Sequence, residues 1–252
     1  MFFRTSYLSF KGLFLWLTPW GYFSSVIVAP VLNYLLFVLI SDSVSDPNTY
    51  RSVVLNVPFY SASTVIAGGV LQMFFYERAF GILEFESKSP LYAFWAKSLC
   101  HLPNGILSIT VSLLIAVWLH PDAYAATKVP TLAVCVIAMS ISIIAFCMML
   151  GVVVSALEEW LPVLSLGSAT LFLLTGVLIP TSSLPQPLGV VSAVLPMTHG
   201  LIAYRQVVDG FSGEGFSTSI TSELTVAMLY VILASAGWLA LRRLRRSSRL
   251  PL

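Results

Sequence analysis

Long runs of residues without a formal charge are the feature that most constrains this chain. These runs cover 12–41, 52–76, 98–121, 129–157, 160–204 and 224–241. A helix that crosses a bilayer needs about 20 mostly apolar residues, and each run is long enough or nearly so. Only 10% of the 252 residues are charged and 58% are hydrophobic, whereas a soluble domain averages about 25% charged residues. Most of the protein surface must therefore face lipid rather than water.

The runs predict an all-α membrane protein that forms a single transmembrane domain over residues 1–252. Turn-forming clusters separate neighbouring runs, for example Asp46-Pro47-Asn48 and His120-Pro121-Asp122. We predict six transmembrane helices, at about 21–41, 57–76, 98–119, 130–154, 161–180 and 224–241.

The residues before the first span have the pattern of an interfacial helix. Apolar and aromatic side chains recur at helical spacing beside Arg4 and Lys11, namely Phe3, Tyr7, Phe10, Phe14 and Leu17. This pattern favours an N-terminal helix lying in the headgroup plane, with a disordered tail as the alternative. The apolar run that follows is longer than the roughly 7–15 residues of a secretory signal, so we expect an uncleaved first span.

The basic residues predict the orientation of the spans. With both termini in the cytoplasm, as six spans require, ten Lys and Arg residues lie inside and three outside. The inner ten are Arg4, Lys11, Arg78, Lys88, Lys97, Arg242, Arg243, Arg245, Arg246 and Arg249, and the outer three are Arg51, Lys128 and Arg205. Because cytoplasmic loops are enriched in Lys and Arg, we expect a multi-pass protein of the cell (inner or plasma) membrane.

No segment supplies a catalytic or nucleotide-binding motif. The Lys88-Ser89 pair lacks the glycines of a phosphate-binding loop, and neither HExxH nor GxSxG occurs. The histidines and cysteines lack metal-ligand spacing, and we expect Cys100, Cys135 and Cys147 to be small packing residues. The sequence therefore predicts no catalytic residue, no metal site and no cofactor bound by this chain. A net charge of +2 gives no indication of nucleic-acid binding.

The middle of every predicted span is free of formal charge. Proton and ion relays in membranes usually need such groups, so the sequence disfavours a pump or a channel. An apolar pathway suits an amphipathic or lipidic substrate, and active transport would then take its energy from another polypeptide. The two halves also show no repeat, which counts against secondary transporters built from inverted repeats.

The loop after the second predicted span combines an apolar ridge with charged flanks. Phe80 and Leu83 lie three residues apart, on one face of a short helix, while Glu77, Arg78 and Glu84 can stay in water. An amphipathic helix of this kind can insert its ridge into a groove on a partner. A solvated connector between two spans is an equally open alternative.

The charge-free run 160–204 is too long for one span and too short for two with an ordinary loop. It is interrupted by Pro180, Pro185, Pro187 and Pro196. Because proline breaks a continuous helix, we expect the fifth span to end near Ile179. Irregular backbone exposed to lipid is not tolerated at membrane depth, so the apolar material that follows should form re-entrant or surface helices at the outer side. Arg205 and Asp209 are spaced to pair at the rim, and an ordinary extracellular loop is the alternative.

Two motifs in these regions resemble those of a transporter family. The membrane subunits of type-2 ATP-binding-cassette exporters carry approximately E-R-x-x-G-T-L-E and then S-P after the second span. They carry G-x-x-x-P-x-x-x-L-P, an apolar helix and P-x-T-x-x-x-x-x-R before the last span. The matching residues here are Glu77, Arg78, Gly81, Leu83, Glu84, Ser89 and Pro90, then Gly176, Pro180, Leu184, Pro185, Pro196, Thr198 and Arg205. Ile82 replaces the usual threonine, and His199 stands where tyrosine is frequent.

The resemblance covers nearly the whole chain and implies a permease without its own ATPase site. It implies that 77–90 is a cytoplasmic coupling helix on a separate ATP-binding-cassette ATPase, which binds the ATP and Mg. The partner-binding residues would be Glu77, Arg78, Phe80, Gly81, Leu83 and Glu84. It also implies a second permease copy, identical or related, and re-entrant helices over 184–208 at the outer mouth, marked by Pro180, Pro185, Pro196, Thr198 and Arg205.

Three functions follow as hypotheses. The first is an exporter permease driven by a partner ATPase, with a drug, a lipid-linked glycan or a similar molecule as its substrate. The second is a self-sufficient secondary carrier, which would need ionisable residues inside the membrane. The third is a membrane enzyme, which the motifs disfavour.

Overall fold

A computed structural model describes residues 18–43, 47–79, 90–157, 159–211 and 213–247. The described residues form helices joined by short turns. In chain order the helices are α1 (Pro19–Ser43), α2 (Pro47–Ala79), α3 (Pro90–Ser98), α4 (His101–Leu119), α5 (Val129–Leu157), α6 (Leu161–Leu174), α7 (Gln186–Val194), α8 (Thr198–Val208) and α9 (Glu214–Ser247). The predicted N-terminal interfacial helix and most of the predicted coupling helix lie outside the described residues.

Five helical segments in the described part of the chain are long and apolar enough to cross a membrane. They are α1, α2, α3 with α4, α5 and α9, and they overlap predicted spans one, two, three, four and six, although α2 and α9 each begin ten residues earlier than predicted. The third span is interrupted by a turn at Leu99 and Cys100, one turn before Pro103, which has no N–H to donate to the Leu99 carbonyl. We call the end of the bundle that carries Ser43 and Pro47 the outer end, following the orientation predicted from the basic residues.

The fifth predicted span, 161–180, is shorter than expected. Helix α6 ends at Leu174 rather than near Ile179. The cause is Gly176, which has a φ of 87°. Glycine adopts this left-handed conformation at little cost and commonly ends helices in this way. With 14 residues, α6 is only about 21 Å long, and irregular backbone continues to Pro180.

Helices α7 and α8 form the predicted broken pair. They meet at an angle of 88° across Leu195, Pro196 and Met197, and they count as a sixth span only if the pair is taken as one. Their position between α6 and α9 agrees with the re-entrant helices expected from the proline pattern.

Helices α2 and α5 lie at the centre of the bundle. Helix α2 packs against α1, α4 and α5, and α5 packs against α9 along a long contact. The outward faces of the other helices are apolar, with large side chains such as Leu39, Trp118, Leu166 and Met228 exposed. These faces require lipid or another apolar surface, because an isolated soluble protein does not expose so much apolar area. All three cysteines are buried and free, which confirms their predicted packing role.

Candidate functional site

The outer end of the bundle contains a broken helix whose freed carbonyls are bonded by side chains. After α6 ends, the carbonyls of Gly176 and Val177 have no helical partner. Asn56, which is fully buried in α2, donates from Nδ2 to the Gly176 oxygen at 3.1 Å and to the Val177 oxygen at 3.2 Å. Backbone acceptors inside a membrane must be satisfied within the protein, so Asn56 makes the break tolerable at this depth.

Arg205 of α8 also bonds to Asn56 and to the broken end of α6. Its Nη2 donates to the Gly176 oxygen and its Nε donates to Asn56 Oδ1 at 3.4 Å. The structure thus brings together Gly176 and Arg205, which belong to the second sequence motif but are far apart in the chain. Asn56 was missed in the sequence, because a single asparagine in an apolar run carries no signal about its partner.

The predicted pairing of Arg205 with Asp209 is not the one in the structure. Asp209 forms its ion pair with Arg51, at the beginning of α2. The i, i+4 spacing permits the predicted pair. The packing of α8 beside α2 nevertheless brings Arg51 to Asp209 and directs Arg205 towards the broken end of α6.

The other predicted residues of this region mark the breaks. Pro180 precedes the single turn Thr181–Ser183, and Pro185 precedes α7. Pro196 lies in the elbow between α7 and α8, where Met197 adopts a φ of 72°. Thr198 begins α8 and is buried.

The elbow is bonded to the last helix by a carboxylate that the sequence placed outside the membrane span. Glu223, fully buried in α9, accepts from the Met197 N–H at 2.7 Å and from the Gly200 N–H at 2.9 Å. A carboxylate at a helix N-terminus is favourable because it satisfies free N–H groups and faces the positive end of the helix dipole. The missed signal is the helix-compatible pattern of 214–223, which the sequence treated as loop.

A buried tyrosine pair also lies at the outer end. The Tyr204 hydroxyl in α8 donates to the Tyr124 hydroxyl at 3.0 Å, in the turn between α4 and α5. Burial raises the pKa of Tyr124 to about 12, although the hydrogen bond from Tyr204 acts in the opposite direction. The Tyr124 hydroxyl therefore stays protonated at neutral pH.

The inner end carries the two flanks of the predicted coupling helix. Glu77 of α2 and Lys97 of α3 form a largely buried ion pair with an N–O distance of 2.9 Å. Arg78 donates to the backbone oxygen of Ser155 at the end of α5. Both residues thus have partners within the chain. The other residues predicted to bind a partner, Phe80, Gly81, Leu83 and Glu84, lie outside the described residues.

Five long apolar helical segments, together with a bent helix pair, define a multi-pass membrane protein. A family model for the ABC-2 type transporter matches residues 7–208. The match covers most of the chain, so the chain belongs to the ABC-2 type transporter family and is a permease component of an ABC transporter. A comparison with curated proteins finds no match.

Proposed function

We propose that this chain forms the membrane pathway of an exporter for an amphipathic or lipidic substrate, driven by a separate ATP-binding-cassette ATPase. The observation that carries the proposal is the family match over 7–208. ATP and Mg would bind to the partner ATPase, which would supply the chemistry of hydrolysis.

The segment 77–90 is the proposed contact with the ATPase. Phe80 and Leu83 would form its apolar ridge, with Gly81 and Glu84 beside them. Glu77 and Arg78 begin the segment, and their internal partners Lys97 and Ser155 would hold it in a fixed direction. Aromatic and aliphatic anchors dominate most interfaces, whereas exposed rim charges contribute little.

A second permease copy would complete the pathway, in a homodimer or a related heterodimer. The exposed apolar side chains of α1 and α9 give each copy faces that suit lipid or a second copy. In the described part of the chain, the charged residues Glu77, Lys97, Arg205 and Glu223 bind partners towards the two ends of the bundle. The apolar middle of the membrane supports a substrate with apolar parts.

The contact is tested by co-purification of the ATPase with permease variants. Phe80→Ala and Leu83→Ala should each cost about 2 kcal/mol or more of binding, which detaches the ATPase or abolishes export while the chain still inserts. Glu86→Ala, in the same segment, is the control and should change little. Full ATPase binding and export by both apolar variants would show that 77–90 is only a connector.

A self-sufficient secondary carrier is the alternative. It predicts that the permease, reconstituted alone in liposomes with an ion gradient, moves substrate without any ATPase. The exporter proposal predicts movement only when the ATPase and ATP are present.

A further inference from the structure

The elbow between α7 and α8 is bonded on both sides by one helix. Before the elbow, the carbonyl of Val194 accepts from the Tyr230 hydroxyl at 2.9 Å. After the elbow, the N–H groups of Met197 and Gly200 donate to Glu223. Glu223 and Tyr230 are seven residues apart on α9, which places them two turns apart on the same face. Helix α9 therefore satisfies orphan backbone groups of two helix ends at once.

The packing around this junction leaves little freedom. A Cβ atom at Gly200 would lie 2.2 Å from Met139 Cγ of α5, so a larger residue there would require Met139 to move. Tyr230 also packs edge-on against Phe146 of α5, with ring centroids 5.1 Å apart.

Glu223 is 19 residues before Arg242, which is about 28 Å along a helix. That distance places it near the outer edge of a hydrocarbon core about 30 Å thick.

The same helix is attached at its inner half to α3, the helix that follows the proposed coupling segment. The Trp95 indole N–H donates to Ser235 Oγ at 3.0 Å. Phe94 stacks on Trp238 with ring centroids 5.0 Å apart. Ser235 and Glu223 are 12 residues apart, about 18 Å along the axis. Helix α9 thus contacts both α3, which follows the proposed coupling segment, and the elbow between α7 and α8.

We propose that Glu223 is a positioning residue for transport: it fixes the outer elbow to α9, and α9 carries displacement of α3 to the outer mouth. This inference rests on the proposed function, because the displacement would come from the ATPase. Tyr230 supports Glu223 from the other side of the elbow. A helix is stiff along its axis, so a movement imposed at Trp95 reaches the elbow only while the hydrogen bonds at both positions persist.

The accessibility of a cysteine introduced at Ser192, a buried residue of α7, reports whether the elbow moves away from α9. Ser192→Cys is made in the full chain, and its rate of reaction with an impermeant maleimide is measured. The parent chain gives the background from its buried cysteines. In the permease alone, Glu223→Ala should raise the labelling rate about tenfold or more, because the elbow loses two hydrogen bonds to a buried carboxyl group.

Two further variants keep the test decisive if Glu223→Ala does not fold. Glu223→Gln keeps the size and one acceptor oxygen, and Tyr230→Phe keeps the ring against Phe146. Each should raise the rate in the same direction by a smaller factor. Glu214→Ala removes an exposed carboxylate from the first turn of the same helix and should leave the rate unchanged. If the Glu223→Gln and Tyr230→Phe variants both react at the same rate as Ser192→Cys alone, the proposed role of Glu223 is overturned.

The second part of the inference is tested in the complex of permease and ATPase. Labelling of Ser192→Cys should differ between the nucleotide-free complex and the complex trapped with a non-hydrolysable ATP analogue. Trp95→Phe removes the bond to Ser235. It should abolish that difference, with ATPase binding retained and labelling of the permease alone unchanged. A full nucleotide response in Trp95→Phe would overturn transmission through α9. Absence of any ATPase from the purified permease would instead contradict the proposed function.

Discussion

Asn56 should be one of the most sensitive polar residues of the membrane domain. It is fully buried, and it donates two hydrogen bonds to the carbonyls that the end of α6 leaves free. The informative change is Asn56→Leu, which keeps nearly the same volume and removes both donors and the acceptor for Arg205. Asn56→Ala makes the same loss and adds a small cavity.

The size of the effect follows from the groups left without a partner. A buried acceptor that loses its donor costs about 1–3 kcal/mol, and here the Val177 carbonyl loses its bond to Asn56 while Gly176 keeps its bond to Arg205. The loss of the Arg205 Nε contact adds a smaller amount, because 3.4 Å is a long hydrogen bond. We expect a total of about 2–3 kcal/mol. At about 2–4 °C per kcal/mol, this lowers the melting temperature by about 4–12 °C.

The assay is thermal unfolding of the purified protein in detergent or nanodiscs. Asn33→Ala is the matched control, because Asn33 is a partly exposed asparagine of α1 and should melt like the wild type. If Asn56→Leu melts within about 1 °C of the wild type, the asparagine does not hold the broken helix. A large loss only in Asn56→Ala would assign the effect to the cavity rather than to the hydrogen bonds.

Three further outcomes test the rest of the structure. Lys97→Met should lower the melting temperature by about 6–20 °C, since breaking a buried ion pair costs about 3–5 kcal/mol. Adding Glu77→Gln to this variant should recover much of the loss. Equal melting temperatures of the wild type, the single variant and the double variant would contradict this prediction. Ser43→Cys in intact cells should react with an impermeant maleimide and Ser248→Cys should not, and the reverse result would overturn the orientation. The purified chain, free of any partner, should hydrolyse no ATP above a mock preparation.

The helical membrane architecture follows from local properties of the sequence. A bilayer core offers no hydrogen-bond partner, so a run of about 20 uncharged residues must be helical to satisfy its own backbone. Proline weakens a helix interior, and the closely spaced prolines at 180, 185 and 196 therefore indicated the broken region before α9. The exact end of α6 was wrong by about one turn, because the decisive residue is Gly176 and not the proline four residues later.

Which polar side chains meet was decided by the tertiary structure alone. Arg205 and Asp209 have the spacing of a pair within one helix, yet Asp209 is bonded to Arg51 and Arg205 to Gly176. Lys97 and Glu223 had no predicted partner, because linear spacing does not reveal the depth and rotation at which distant helices face each other. The length of an uncharged run determines that a helix crosses the membrane. The partners of its polar residues depend on how the helices pack together.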